Sequence, residues 1–413
     1  MSQKKAHLFL SLSRKGWGEA TLGIRIAREM CRAGERVIYF GHNSARPLFS
    51  GVPFEYEEVS DDTIGLLEMM LDEMVGSGEV SCIILCDFFT CTGVLSDFGT
   101  DSRFLSRYDI PLVVLDIWDC ARTGFVMDFF LGKRKEIAQW LGEVPYRLIP
   151  VPIAHSENRL GAYRCLPEPV RLASKVRKHV RRNLGLTDQD RAILFCTAGW
   201  QQTQYEDEHG DRLAGAIPEL LSIYLKRLEP QVHVVHVGPK ALPWSAALGE
   251  RYHWLPPMTA DRFANVLGSI DLLLSANISA TTTGQAVVSE IPVLVVQNRC
   301  NAQDLVEALA CLAQTPSPEL EEWIRRSLPL YAFRLWPLGF FNFLQPMLDH
   351  NPVLEAVRIC ELLDQQEFTQ QARSLLFDKT DRQRLNFQQA NYTSKLSQLP
   401  SAYEAVKSFL NHN

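Results

Sequence analysis

Short apolar runs recur along this chain. Each is followed by a polar or glycine-bearing turn and then by a stretch with apolar residues three and four apart. The first cycle is the clearest. Ala6 to Ser13 (AHLFLSLS) reads as a buried strand. Gly16-Trp17-Gly18 makes a turn, and Thr21 to Ala33 has helical spacing with Leu22, Ile24, Ile26, Ala27 and Met30 on its inner side. Gly34 ends that helix, and Arg36 to Phe40 (RVIYF) reads as a second strand. Together they predict a βαβ unit. The alternation continues with a helix over Thr63 to Val75 and a strand over Ser81 to Cys86 that ends at Asp87. Further strands are predicted over Ile110 to Asp116 and Tyr146 to Pro152.

A Pro-bearing stretch, Cys165 to Pro169, then breaks the pattern and reads as a linker. Beyond it, strands are predicted over Arg191 to Thr197, Gln231 to Gly238, Tyr252 to Leu255, Ile270 to Ser275 and Ile291 to Gln297. Helices are predicted over Leu213 to Leu228, over Thr259 to Gly268 and from Thr281 to Ser289, and the last hundred residues read as mainly helical. Strands alternating with helices imply parallel sheets covered on both faces. The fold class is therefore α/β, with two tandem doubly wound Rossmann-like domains over 1–166 and 170–375. Facing strand ends would leave a cleft of the kind that holds small molecules.

The bulk numbers narrow the function. With 413 residues, 46% of them hydrophobic and 22% charged, the chain suits a globular protein of two ordinary domains. A net charge of −6 provides no broad basic field for nucleic acid, and the run Lys175 to Arg182 (KVRKHVRR) reads as a solvated helix face. The first residues carry too short an apolar stretch for a signal peptide, and no run is long enough to span a bilayer. Ten cysteines are spread widely, and the one cluster (Cys82, Cys86, Cys91) reads as core or strand-end thiols without the paired spacing of a metal site. These features lead us to expect a reducing, cytoplasmic setting.

Two turns carry candidate chemistry. In the first, Gly16 and Gly18 permit close approach to the backbone, but Thr21 stands where a dinucleotide fingerprint needs its third glycine. Glu19 sits at the helix start beyond a strand end, either as a reacting group or as a solvated carboxylate favoured by the helix dipole. In the second turn, Ser275 to Ala286 leads from a strand end into a helix. Thr281, Thr282 and Thr283 supply hydroxyls beside first-turn amides, a natural phosphate cradle or an ordinary threonine N-cap.

The layout resembles the GT-B glycosyltransferases, particularly the UDP-glycosyltransferase-like enzymes of bacterial natural-product biosynthesis. Ala27 to Val37 (AREMCRAGERV) is similar to that family's "ARELAARGHRV"-like segment, which puts Gly18-Glu19 at its Gly-His pair. Asn277 to Pro292 is similar to its "HGGAGTTLEALAAGVP" segment. Thr282 and Thr283 fall on the paired threonines, and Gln285 falls on the acidic residue that contacts a donor sugar or ribose. Tyr252 to Pro257 takes the place of the nucleobase loop. Arg384 to Leu410 resembles the helical tail that crosses back onto the first domain, which sets 376–413 apart as a C-terminal segment. The departures are Glu19 for the base histidine, Asn277-Ile278-Ser279 for His-Gly-Gly, and Thr281 for a glycine.

The resemblance implies sugar transfer from a UDP- or dTDP-linked donor to a small-molecule hydroxyl, with no tightly bound cofactor and no metal. Glu19 would be the base, with Asp116 or Asp119 assisting or replacing it. Asn277, Thr281, Thr282 and Thr283 would grip the donor and Gln285 would reach its sugar. Thr197 and Gly199 would add phosphate contacts, and Trp254 would frame the nucleobase unless it is a core residue. The acidic loop Glu206 to His209 reads as a charged surface loop. Two alternatives stay open: a catalytically silent homologue that binds a ligand or activates a partner, and a sugar-nucleotide 2-epimerase.

Overall fold

The computed structural model describes residues 4–14, 16–151, 154–157, 159–165, 168–203 and 212–411. The acidic loop Glu206 to His209 and part of the linker, residues 166 and 167, lie outside them. The chain forms two compact units. The first comprises Met1–Phe125, Glu136–Leu166 and Lys395–Asn413; the second comprises Val126–Lys135 and Pro167–Ser394.

The sheet of the first unit has seven strands. They are β1 (Ala6–Ser11), β2 (Arg36–His42), β3 (Glu55–Val59), β4 (Val80–Leu85), β5 (Leu112–Leu115), β6 (Tyr146–Val151) and β7 (Ala162–Arg164). The order is β3-β2-β1-β4-β5-β6-β7, and the pairings are parallel. β1 lies centrally with every residue buried, as its apolar run predicts. The order reverses beside β1, so the ends of β1 and β4 flank a switch point, where ligands of open α/β sheets bind.

The helix after β1 spans Gly18–Arg32 and so begins three residues before the apolar periodicity. Its inner residues Leu22, Ile24, Ile26, Ala27 and Met30 enter the core. Gly23 lets this helix approach the sheet closely: a Cβ there would lie 2.4 Å from the Tyr39 hydroxyl and 2.5 Å from Cys86 Sγ. The last helix, Ala402–Leu410, is held by a capping box between Ser401 and Glu404 and buries Ala405, Val406 and Phe409 in the same core. Its Tyr403 amide donates to Glu29 on the first helix at 3.3 Å.

The second sheet has six strands: β8 (Arg191–Cys196), β9 (Val232–Val237), β10 (Tyr252–Leu255), β11 (Leu272–Ser275), β12 (Val293–Gln297) and β13 (Arg358–Glu361). Their order is β10-β9-β8-β11-β12-β13, again parallel. The predicted strands of this half all form, each within two residues of its predicted limits. Short β13 falls in the stretch read as helical, because RICE offers only four residues and no alternation.

Three further differences have physical causes. Residues 126–135, counted with the first half by sequence, belong to the second unit because Phe130 enters that core and Asp128 accepts from the amides of Asn342 and Phe343. The helix Lys379–Leu396 stays with the second unit up to Ser394, since Gln389 is wholly buried there and donates to the carbonyls of Ile291 and Ala356. Cysteines 82, 86 and 91 are buried thiols, whereas Cys300 and Cys311 form a disulfide, their Cα atoms 5.8 Å apart.

The close approach at Gly23 makes a test. Gly23→Ala should lower unfolding free energy by about 1–3 kcal/mol in denaturant titration, although alanine is the better helix former.

Candidate functional site

The first turn places a pair of acids at the switch point. Trp17 occupies the N-cap position of the first helix and Glu19 lies in its opening turn. The turn is tied down by Gly16 N–H donating to Ser13 Oγ (3.2 Å), Trp17 Nε1 donating to the Ser44 carbonyl (3.1 Å) and Ser44 Oγ donating to the Ser13 carbonyl (3.2 Å). Glu19 is half-buried, and its Oε2 is sealed from solvent with no hydrogen-bond partner. Desolvation raises its pKa. Its own backbone amide and the Ser13 hydroxyl, which favour the charged form, oppose that only in part.

The second acid is Asp87, immediately after β4 and Cys86. It is 2% exposed and caps the helix Phe88–Asp97, accepting from the amides of Phe89 (3.2 Å) and Thr90 (3.0 Å). Its pKa is raised first by burial and then by the charge of Glu19. An aspartate directly after an apolar strand and before a helical stretch is the signal that the sequence offered for it.

Asp116 and Asp119 are spoken for. Asp116 is 2% exposed and accepts the Cys120 amide at 2.9 and 3.1 Å, and burial raises its pKa. Asp119 is fully buried in a left-handed conformation (φ 53°) and is bonded to Arg159, with Arg122 at 3.5 Å. Neither is a solvated strand-end carboxylate. The carboxylate whose charge acts on Asp87 is Glu19, so in this unit the acid beside Glu19 is Asp87.

In the second unit the predicted donor residues share one sheet edge. Thr197 follows β8 and the Asn277 turn follows the neighbouring β11, whose Leu274 pairs with Phe195. The two turns are stitched together: Gln201 donates to the Trp336 carbonyl (2.9 Å) and the Trp336 amide donates to the Ala276 carbonyl (2.9 Å). Gly199 opens the short helix Gly199–Thr203.

The helix after β11 spans Thr281–Val288. Its N-cap is Ala280, without a side-chain cap, so the threonine N-cap expected as an alternative does not form. Helical geometry leaves the amides of Thr281 and Thr282 without intrahelical acceptors, and both side chains are half-exposed. Thr283 is different: it is 2% exposed and its hydroxyl donates to the Asn277 carbonyl at 3.4 Å. Asn277 Oδ1 accepts from the Ser279 amide and hydroxyl, both at 2.9 Å, which braces the turn in place of the expected glycines. Gln285 is half-buried one turn along.

Trp254 is 42% exposed and its indole donates to the Gly238 carbonyl at 2.9 Å; it is a fixed surface ring and not a core residue. Thr197 contacts a residue that sequence reasoning did not select: His236 Nε2 lies 2.8 Å from its hydroxyl. A cavity of about 1220 Å³, lined by residues including Arg299, Cys300, Cys311, Glu361 and Arg373, opens elsewhere on this unit. None of the sequence-predicted residues lines it. Among the described residues no cluster of His, Cys, Asp and Glu could hold a metal ion, and no helix is long and apolar enough to cross a membrane.

Solved structures share this architecture over the whole chain. Anabaena Alr3699/HepE, solved in complex with UDP and glucose, superposes with a TM-score of 0.53 at 13% identity, covering 99% of each chain. A glycosyltransferase from Rickettsia africae ESF-5 superposes with a TM-score of 0.52 at 10% identity, covering 99% of this chain and 97% of that one. The fold is therefore that of the GT-B glycosyltransferases. Over residues 26–412 the chain belongs to the family of unknown function DUF6365. No curated protein matches the sequence.

The acid pair predicts a pH-dependent stability. Folded-state values raised above the unfolded ones mean that the unfolded chain binds fewer protons, so stability falls as pH rises above the ordinary carboxylate range. Glu19→Gln removes one of two like charges. It should therefore raise the melting temperature at pH 7.5, by the equivalent of about 1 kcal/mol for one pKa unit of relief, with the gain shrinking toward pH 4.5. Calorimetric melting across that range checks both the sign and the slope.

Proposed function

We propose that this protein transfers a sugar from a nucleotide-sugar donor, UDP- or dTDP-linked, to a hydroxyl of a small acceptor. The observation that carries this reading is the Glu19–Asp87 pair. A general base works best with a pKa near the operating pH, and an ordinary glutamate lies well below it. Burial raises the Glu19 value toward that range at the helix start where the resembled family holds its base. Glu19 Oε2 has no hydrogen-bond partner but is closed to solvent, so a bound acceptor would have to displace its cover before that oxygen takes the hydroxyl proton as the acceptor oxygen attacks the sugar. Asp87, fixed by two amides and itself raised by the charge of Glu19, remains a cap.

On the second unit the proposed donor site is the edge carrying Thr197, Asn277, Thr281 and Thr282. The departing diphosphate would take the first-turn amides of the helix Thr281–Val288, the hydroxyls of Thr281 and Thr282, and the positive end of the helix dipole. Exposed Trp254 would stack on the base, and Gln285 would reach the sugar. Thr283, turned inward, braces the turn and leaves the ligand set proposed from sequence. The neighbour solved with UDP and glucose supports a uridine nucleotide as the first ligand to try. We place the reaction in the cytoplasm, resting on eight cysteines that remain thiols, six of them buried, against the one disulfide Cys300–Cys311.

UDP at about 100 times its dissociation constant should raise unfolding free energy by about 2.7 kcal/mol. Thr282→Val should weaken UDP binding in calorimetry several-fold, whereas Thr283→Val should leave it unchanged and cost stability instead. With a working donor and acceptor, Glu19→Gln should lower turnover by about 10²- to 10⁴-fold at nearly constant donor affinity, and the parent rate should climb with pH above the ordinary carboxylate range. Near-normal turnover in that variant removes Glu19 from the role. Tight nucleotide binding without transfer to any acceptor favours the silent-homologue reading, which the lost histidine and glycines also support.

A further inference from the structure

Behind Thr197 runs a chain of hydrogen bonds, buried at His236 and half-buried at Tyr252. The Leu242 amide donates to the Tyr252 hydroxyl oxygen at 2.8 Å. That hydroxyl lies 2.9 Å from His236 Nδ1, and His236 Nε2 lies 2.8 Å from Thr197 Oγ1. His236 is wholly buried among Phe195, Trp244 and Tyr252. Gly238 makes room for the chain, since a Cβ there would lie 2.2 Å from Thr197 Oγ1 and 2.7 Å from His236 Nε2. The Gly238 carbonyl in turn holds the Trp254 indole.

The protons in this chain can run two ways. In one, Thr197 donates to Nε2, Nδ1–H donates to Tyr252, and the tyrosine proton is left without an acceptor among the described residues. In the other, Tyr252 donates to Nδ1 and Nε2–H donates to Thr197. The threonine proton then points away from the histidine at the sheet edge, where Thr197 retains 7% exposure. An anion at that edge selects the second arrangement, because it supplies the acceptor that the first cannot use. We propose that His236 and Tyr252 are positioning residues that turn Thr197 into a hydrogen-bond donor for a phosphate of the bound nucleotide. Burial pushes the imidazole down to about 4, so it stays neutral and keeps one donor and one acceptor nitrogen at working pH.

This rests on the nucleotide reading above, and a double-mutant cycle separates the two. UDP and inorganic pyrophosphate are titrated by calorimetry into the parent, Thr197→Val, Tyr252→Phe, and the double variant. A hydrogen bond to a charged group is worth about tenfold in affinity or more, so Thr197→Val should weaken UDP by that factor. Tyr252→Phe keeps the ring and removes only the hydroxyl. It frees the imidazole to take the threonine proton and should weaken UDP several-fold in the parent, but not at all in the Thr197→Val background. Equal losses in both backgrounds mean that Tyr252 is merely structural and overturn the proposal, as does an unaffected Thr197→Val. Should Tyr252→Phe fail to fold, His236→Gln enters the same cycle under the same criteria. A parent that binds neither probe overturns the nucleotide reading and this one with it.

Discussion

A parallel sheet finishes all its strands on one edge, and that constraint organises this protein. Each strand end must hand the chain to a helix on one face or the other, and the turn between them cannot satisfy its own polar groups. Unpaired amides, side-chain hydroxyls and carboxylates therefore collect along two edges, one per unit. The acid pair, the bare amides ahead of Thr281–Val288 and the histidine chain behind Thr197 are three local solutions to that shortage of partners. Chemistry becomes available where a solution is incomplete: at Glu19 Oε2, at the first-turn amides and at the threonine hydroxyl.

The two edges use opposite electrostatics. In the first unit, two acids are crowded where water is scarce, which makes protons hard to remove. The second edge presents a helix N-terminus and neutral donors, with its nearby histidine kept uncharged. On the proposed reading, a proton acceptor and an anion receptor need these different surroundings, and two tandem copies of one architecture keep them apart.

Much of this was legible in the amino-acid pattern. The buried strands of both sheets announce themselves as apolar runs, and the turns at Glu19 and Asn277 stand out because polar residues follow such runs directly. What escaped had a physical reason. Strand β3 (EYEEV) is acidic and mostly exposed, so no apolar alternation marks it. The first helix begins at Gly18, ahead of the apolar periodicity, because its opening turn buries only the small Ala20. Asp116 and Asp119 resemble reactive acids in sequence, but a local amide and two arginines occupy them. Asp87 was hidden as an ordinary cap, and His236 as one of two histidines in VHVVHV. Both roles depend on groups many positions away, which periodicity cannot reveal.

The first unit is assembled from three stretches of chain, the last of which begins at Lys395. Its core includes Ala402, Ala405, Val406 and Phe409, which pack with the helix that carries Glu19. On the ribosome those residues emerge after the whole second unit. The first unit thus cannot complete its core until the second has been made. The order of maturation is set against the order of translation: the second unit is free to settle first, and the helix bearing Glu19 gains its final neighbours afterwards. Loss of Ala402–Leu410 would therefore strike the oldest part of the chain, not the newest.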